Sequence, residues 1–229
     1  MPAGRGRHRG ILITFEGIEG SGKTTQCARL AKRLREAGHR VVETREPGGT
    51  PFAERIRRLL LDYPTTGAPA EPIEPECEAY LILACRSQHV ARIIQPALHE
   101  GTVVLCDRFS DSTFAYQGYA RGLSLQMLDR MNRFITGGLT PDLTLLFDVP
   151  VATGLTRRQH PEREQNRLDR EARHFHERVR RGFLVLAKRY PRRIKVLDGT
   201  RDPDSIADQV DRLVRRFLEK RHRVKVSKT

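Results

Sequence analysis

A chain of 229 residues, 38% of them hydrophobic, can build one good-sized α/β unit or two small ones, and no apolar run nears the roughly 18 residues that span a membrane. The formal charge of +14 admits a nucleic-acid surface, but the basic residues are spread along the chain and only 6% of residues are aromatic, poor material for base stacking. Solvated helix faces and a site that handles polyphosphates are the favoured source of that charge, and four scattered cysteines without C-x-x-C pairing suit reduced thiols in a cytoplasm.

Residues 1–10 form a basic tail that lacks the apolar centre of a secretory signal. Residues 11–15, Ile-Leu-Ile-Thr-Phe, have the length and composition of a strand. They run into Gly17-Ile-Glu-Gly-Ser-Gly-Lys-Thr24, which fits G-x-x-x-x-G-K-[ST]. Residues 25–35 follow with Ala28, Leu30, Ala31 and Leu34 on one helical stripe. Strand, glycine turn and helix in that order make the pattern a phosphate-binding loop; a Gly-rich turn without a ligand is the disfavoured alternative. Gly17, Gly20 and Gly22 carry no Cβ, so the backbone N–H groups can turn inward on an anion. Lys23 reaches the outer phosphates and Thr24 offers its hydroxyl to Mg²⁺, with Ile18, Glu19, Ser21 and Thr25 completing the segment that wraps a nucleoside triphosphate.

Gly38 stops the first helix, and residues 40–45 make a second strand. The Pro/Gly loop 46–51 sits at that strand's C-terminal end, where open α/β sheets place ligands. Residues 52–62 are a short helix with Ile56, Leu59 and Leu60 on one face; 63–75 are a loop; 77–100 are a long helix. A strand over 102–107 is followed by helical stretches at 113–120 and 125–135, parted by a turn at Gly122. Strands at 142–148 and 194–198 and an amphipathic helix over 205–218 complete the order, with 220–229 a frayed basic tail. Alternating strands and helices predict a parallel sheet covered on both faces, in a single domain over 11–219.

Three further features carry chemistry. Asp107 ends a strand of four apolar residues, as a metal-holding Walker-B acid does, a strand-end cap being the alternative. Arg108 beside it suits a phosphate bidentately. Residues 157–167, Arg-Arg-Gln-His-Pro-Glu-Arg-Glu-Gln-Asn-Arg, are charge-dense and nearly without apolar anchors. Arginines on such a mobile segment can close over a phosphoryl group; a solvated helix face is the alternative.

Phe15-Glu-Gly-Ile-Glu-Gly-Ser-Gly-Lys-Thr-Thr-Gln26, Thr44-Arg-Glu-Pro-Gly-Gly-Thr50, Asp107-Arg-Phe109 with Ser112 and Ala115-Tyr-Gln-Gly118, and Pro141-Asp-Leu-Thr-Leu145 together resemble the thymidylate kinase family in order and spacing, over about residues 11–218. The resemblance implies a P-loop nucleoside monophosphate kinase fold: a five-stranded parallel sheet, helices on both faces, and a lid at about 153–169. It implies ATP-dependent conversion of dTMP to dTDP with Mg²⁺, held by Thr24 and Asp107, usually in a homodimer, with no membrane and no nucleic-acid partner. By position, Glu19 would accept a hydrogen bond from the acceptor's 3′-hydroxyl, Arg57 and Arg108 would hold its phosphate, and Arg86 would reach the thymine edge. Thr113 and Gln117 would flank the base, Tyr116 would pack on the sugar, and Asp198, Gly199 and Thr200 would lie along the adenine. Gly20 stands where one subtype has a basic residue; the other subtype supplies lid arginines, here Arg157, Arg158, Arg163 and Arg167. Arg157 and Arg167 would then join Lys23, Asp107 and Arg108 in catalysis. The sequence departs from the family at Ile82, where a phenylalanine usually stacks on the pyrimidine, and at Asn166-Arg-Leu-Asp169, where Asp-Arg-x-Glu is usual. An acceptor phosphate is already a nucleophile, so transfer would be direct and in line without a strong general base. A deoxynucleoside kinase, another nucleoside monophosphate kinase, or a regulatory NTP-binding module associated with nucleic acid are the alternatives.

Overall fold

The computed structural model describes residues 10–63, 71–158 and 166–226. Five strands, β1 (Ile11–Glu16), β2 (Val41–Arg45), β3 (Val103–Asp107), β4 (Leu143–Asp148) and β5 (Ile194–Asp198), form a parallel sheet in the order β2-β3-β1-β4-β5. Register pairs Ile13 with Leu105 on one side and Leu143 on the other, so the ends of β1, β3 and β4 come level at one edge of the sheet. The helices used below are α1 (Lys23–Glu36), α2 (Pro51–Leu61), α3 (Pro75–His89), α4 (Gln95–His99), α5 (Ser110–Thr113), α6 (Leu125–Thr136), α7 (Val151–Arg158), α8 (Arg173–Arg189) and α9 (Pro203–Val226).

Strands buried on both faces read as unbroken apolar runs, and their side chains alternate between the two faces. Ile13, Phe15, Leu105, Leu145 and Phe147 face α1 and α9, where they meet Cys27, Leu30, Leu34, Val210 and Val214. Phe15 and Phe147 stack there with ring centroids 6.0 Å apart. Leu12, Val104 and Cys106 face the other way, onto Val90, Ile94 and Leu98. Leu146 and Ile194 pack on Val179, Phe183 and Leu186 of α8. Among the described residues no helix is long and apolar enough to cross a membrane.

The elements expected from the sequence are present, with four differences. The long helix begins at Pro75, and between α3 and α4 it widens into a π-helical turn over Val90–Ile94, where the Gln95 N–H bonds back to the Val90 carbonyl. Pro96 follows at once; it has no N–H to give, and in a regular helix its ring would meet the carbonyl four residues back. A second π-helical stretch, Phe114–Ala120, continues α5, so this helical segment starts at Ser110 rather than 113. Helix α7 was not expected. Finally, α9 runs on to Val226, past the expected frayed end, and the Arg221 guanidinium bonds to Asp142 and, at 3.0 Å, to the Gly10 carbonyl.

Candidate active site

Helix α1 opens at Lys23 with no acid in its first turn and with Gly22 as an N-cap that supplies no side-chain bond. Its free N–H groups and partial positive charge therefore face whatever anion occupies the loop. Lys23 is buried and folds across the loop, its Nζ donating to the Ile18 carbonyl at 2.7 Å and the Ser21 hydroxyl at 3.2 Å. Burial, and then the nearby Arg108 cation, push its pKa down to about 8 against the pull of Asp107 and Glu19. Gly20 has a left-handed φ of 70°, and a Cβ there would lie 2.1 Å from the Gly154 carbonyl oxygen. Helix α7 thus sits backbone to backbone on the phosphate loop, and a basic residue at position 20 has no room.

Asp107, at the end of β3, accepts the Thr24 hydroxyl on Oδ2 at 2.5 Å, and its Oδ1 is buried without a hydrogen-bond partner. A buried carboxylate oxygen left bare beside a threonine hydroxyl is the donor set of a hard cation that takes its other ligands from phosphate and water. Among the described residues no group of three or more His, Cys, Asp or Glu could hold a metal.

Arg108 carries the strained backbone of the site, a φ of 72° in a residue that is not glycine. Its N–H on the Phe15 carbonyl at 3.0 Å fixes it. Its guanidinium donates to the Gly17 carbonyl at 2.9 Å, the Ser112 hydroxyl at 3.1 Å and Glu19 Oε1 at 2.9 Å. Beneath it Glu16 is fully buried and accepts from the Phe109 N–H at 2.8 Å and the Ser112 hydroxyl at 2.5 Å; burial and the neighbouring Asp111 push its pKa up. Glu19 also accepts the Tyr116 hydroxyl, at 2.7 and 2.6 Å on its two oxygens. Burial works against its charge, but Arg108, Lys23 and Tyr116 together hold it well below the usual carboxylate range.

These groups bound one cavity of about 310 Å³, within the range for a small-molecule ligand. Glu19, Arg57, Ile82, Arg86, Arg108, Thr113, Tyr116 and Gln117 all line it, with Lys23, Thr24 and Asp107 at the phosphate-loop side. Arg57 is steadied by its bond to the Pro47 carbonyl at 2.8 Å. Arg86 is buried and already engaged, by Glu46 at 2.7 Å, Asn132 at 3.0 Å and the face of Phe109 at 5.0 Å. Gln117 donates to Glu78 at 2.7 Å, whereas the Thr113 hydroxyl is buried with no partner and so is open to a ligand.

The lid arginines separate. Arg158, not Arg157, lines the cavity, with Nε and Nη2 on Asp169 Oδ2 at 2.9 and 2.8 Å. Arg157, one helical position back, donates to the Gly199 carbonyl at 2.8 Å. It therefore lies with the Asp198, Gly199 and Thr200 turn on the outer side of the phosphate loop. In that turn Thr200 bonds Asp198 through both its N–H (2.9 Å) and its hydroxyl (2.6 Å). Arg167 does not line the cavity. It is buried, pairs with Glu78, and ties its own backbone and side chain to the Leu61 and Leu60 carbonyls at 2.9 and 3.1 Å. The expectation of a mobile arginine is thereby corrected for position 167: the segment's end is anchored between α2 and α3. Arg163 lies outside the described residues. Glu78 and His176 joined the site without any signal in the sequence, since their partners are far away along the chain, whereas Asp169 was visible only as the end of the lid motif.

The thymidylate kinase family model matches residues 15–210. A thymidylate kinase of Thermomicrobium roseum is 52% identical over 199 residues, 87% of this chain and 91% of that protein. One of Geobacter sulfurreducens is 51% identical over 206 residues, 88% and 94% of the two chains. Among solved structures, the thymidylate kinase of Ehrlichia chaffeensis superposes with a TM-score of 0.70 at 35% identity, covering 90% of this chain and 98% of that one.

Proposed function

The chain belongs to the thymidylate kinase family and is an ATP-dependent phosphotransferase acting on dTMP; from that premise we propose that transfer is direct and in line, between nucleotides bound on either side of Lys23. The observation that carries this is the single cavity in which two arginines, Arg57 and Arg108, face the phosphate loop's lysine. Two guanidinium groups suit an acceptor that already bears a dianionic phosphate, and such an acceptor needs no general base. Lys23 and Arg158 neutralise the charge that spreads over the transferred group, and the α1 N-terminus holds the donor's phosphates. Thr24 and Asp107 would hold Mg²⁺, which supplies charge neutralisation on the donor phosphates when bound. Glu19 takes the acceptor's 3′-hydroxyl, Tyr116 packs on its sugar, and Thr113, Gln117, Arg86 and Ile82 surround its base. Asp198 to Thr200, with Arg157 beside them, border the donor's adenine. Arg167 acts as an anchor for the lid, not as a charge on the phosphoryl group.

Residues 11–219 act as one kinase domain, with the lid at about 153–169, in a cytoplasmic homodimer. Support for the dimer comes from exposed apolar side chains on three adjacent helices: Phe52 and Leu59 on α2, Tyr80 on α3 and Phe134 on α6. The test of function is a coupled ADP-release assay across nucleoside monophosphates and nucleosides with ATP. ADP release that depends on dTMP and is absent with thymidine is the expected result; release with thymidine alone would overturn it.

A further inference from the structure

Helix α8 carries a histidine for which the transfer step has no use. His176 is fully buried, and neither ring nitrogen has a hydrogen-bond partner. Leaving a buried imidazole N–H unbonded is costly, and buried polar groups without partners are uncommon enough to ask what they wait for. Its Nδ1 points at the cavity's own carboxylate: it lies 3.6 Å from Glu19 Oε2, just beyond bonding distance. Glu19 in turn is incompletely served on that oxygen. Oε1 takes Arg108 at 2.9 Å, and the one Tyr116 proton is shared between Oε1 at 2.7 Å and Oε2 at 2.6 Å.

A turn of the Glu19 carboxylate that moves Oε2 a few tenths of an ångström toward α8 would bring it within reach of Nδ1–H. That exchange satisfies the imidazole and takes Oε2 away from Tyr116. The Tyr116 hydroxyl, on the cavity wall, then donates to Oε1 alone, its oxygen can accept from a ligand, and Glu19 keeps a lone pair for a hydroxyl donor. A neutral imidazole is sufficient, because Arg108 and Lys23 already balance the carboxylate's charge. We propose that His176 is a positioning residue for Glu19, taking up the carboxylate when the acceptor nucleotide enters so that Glu19 and Tyr116 together meet its sugar hydroxyl. This rests on the proposal that Glu19 receives the acceptor's 3′-hydroxyl.

The experiment compares kcat/KM for dTMP and for its 3′-deoxy analogue in the wild type, His176→Phe and His176→Asn. Phenylalanine keeps the aromatic bulk beside Phe175 and loses the donor; asparagine keeps an N–H near the place of Nδ1. His176→Phe should lower kcat/KM for dTMP by about tenfold, the scale of one hydrogen bond to a charged group, and leave the 3′-deoxy analogue unchanged. His176→Asn should keep most of the wild-type preference. An equal loss on both substrates, or none on either, overturns the proposal and leaves a packing role. A wild type inert toward dTMP overturns the kinase assignment and this proposal with it. Should His176→Phe fail to fold, ¹⁵N chemical shifts of the His176 ring in the wild type decide: addition of dTMP should shift Nδ1 as it becomes a hydrogen-bonded donor, and an unmoved Nδ1 overturns the proposal.

Discussion

Lys23 carries its charge at a cost set by burial and by Arg108. Its folded pKa of about 8 lies below the 10.5 of an exposed lysine, so between those values the folded chain has released a proton that the unfolded chain still holds. Stability therefore rises with pH across that window, and the penalty of roughly 3 kcal/mol is fully present at pH 7. Triphosphate entering the loop restores the charge. At pH 9, ATP binding should take up close to one proton, read by calorimetry in buffers of different ionisation heat. Lys23→Ala should abolish that uptake, lower kcat on the order of 100-fold or more, and leave Tm no lower than the wild type. Binding heats that do not depend on the buffer would sink the idea. Ile82 makes the second case at this scale. It lines the cavity and packs with Leu60 and Leu61, so to a base it would offer aliphatic surface that has no π-face. Base–aromatic stacking is worth roughly 1–3 kcal/mol. Ile82→Phe should lower KM for dTMP and sharpen its preference over dUMP, measured as paired kcat/KM values. If neither substrate responds, Ile82 does not meet the base.

At the scale of elements, the segment proposed as the lid is held at both ends by different means. Its N-terminal helix, α7, rests on the phosphate loop through two glycines: a Cβ on Gly154 would lie 2.6 Å from the Glu19 carbonyl oxygen, as one on Gly20 would lie against Gly154. Its C-terminal end is pinned by Arg167 on Glu78, a fully buried carboxylate that also takes Arg121 and Gln117. Burial opposes the charge of Glu78, but Arg121 and Arg167 hold its pKa below the ordinary value. Breaking a buried ion pair by removing one partner costs about 3–5 kcal/mol, and the surviving Arg121 keeps the loss near the low end. Arg167→Ala should therefore shift the urea midpoint strongly downward and raise KM as the lid loosens. Arg158→Ala leaves the buried Asp169 with the Asn166 N–H, at 2.9 Å, as a remaining partner; it should lower the midpoint less than Arg167→Ala does and lower kcat more than it changes KM. The reverse pattern would mean that Arg167 is the arginine reaching the phosphoryl group.

For the whole molecule, the cavity opens at the ends of β1, β2 and β3, and the helices around it expose apolar side chains elsewhere. Phe134 is 89% exposed on α6, and Phe52 is 57% exposed on α2. These side chains are the basis of the proposed dimer. Sedimentation velocity should show a dimer at micromolar concentration, and Phe134→Glu should shift it toward monomer while the far-UV spectrum stays unchanged. A wild type that is monomeric throughout would remove the dimer from the proposed function.

What the sequence determined by itself was everything carried by contiguous residues. The phosphate loop, the acid closing an apolar strand and the alternating order of elements each depend on backbone geometry within one segment, so the residue order suffices to state them. Resemblance then named eight candidate acceptor residues, and all eight line one cavity. Only the tertiary structure decided among the lid arginines. One step along a helix turns a side chain by about 100°, which sends Arg157 to Gly199 and Arg158 to the cavity, and their identical side chains give no hint of it. Glu78 with Arg167 and Glu19 with His176 are likewise invisible in the chain's order, because each pair meets across a long separation in sequence. A charge reveals its partner only after packing has removed the water that would otherwise have served it.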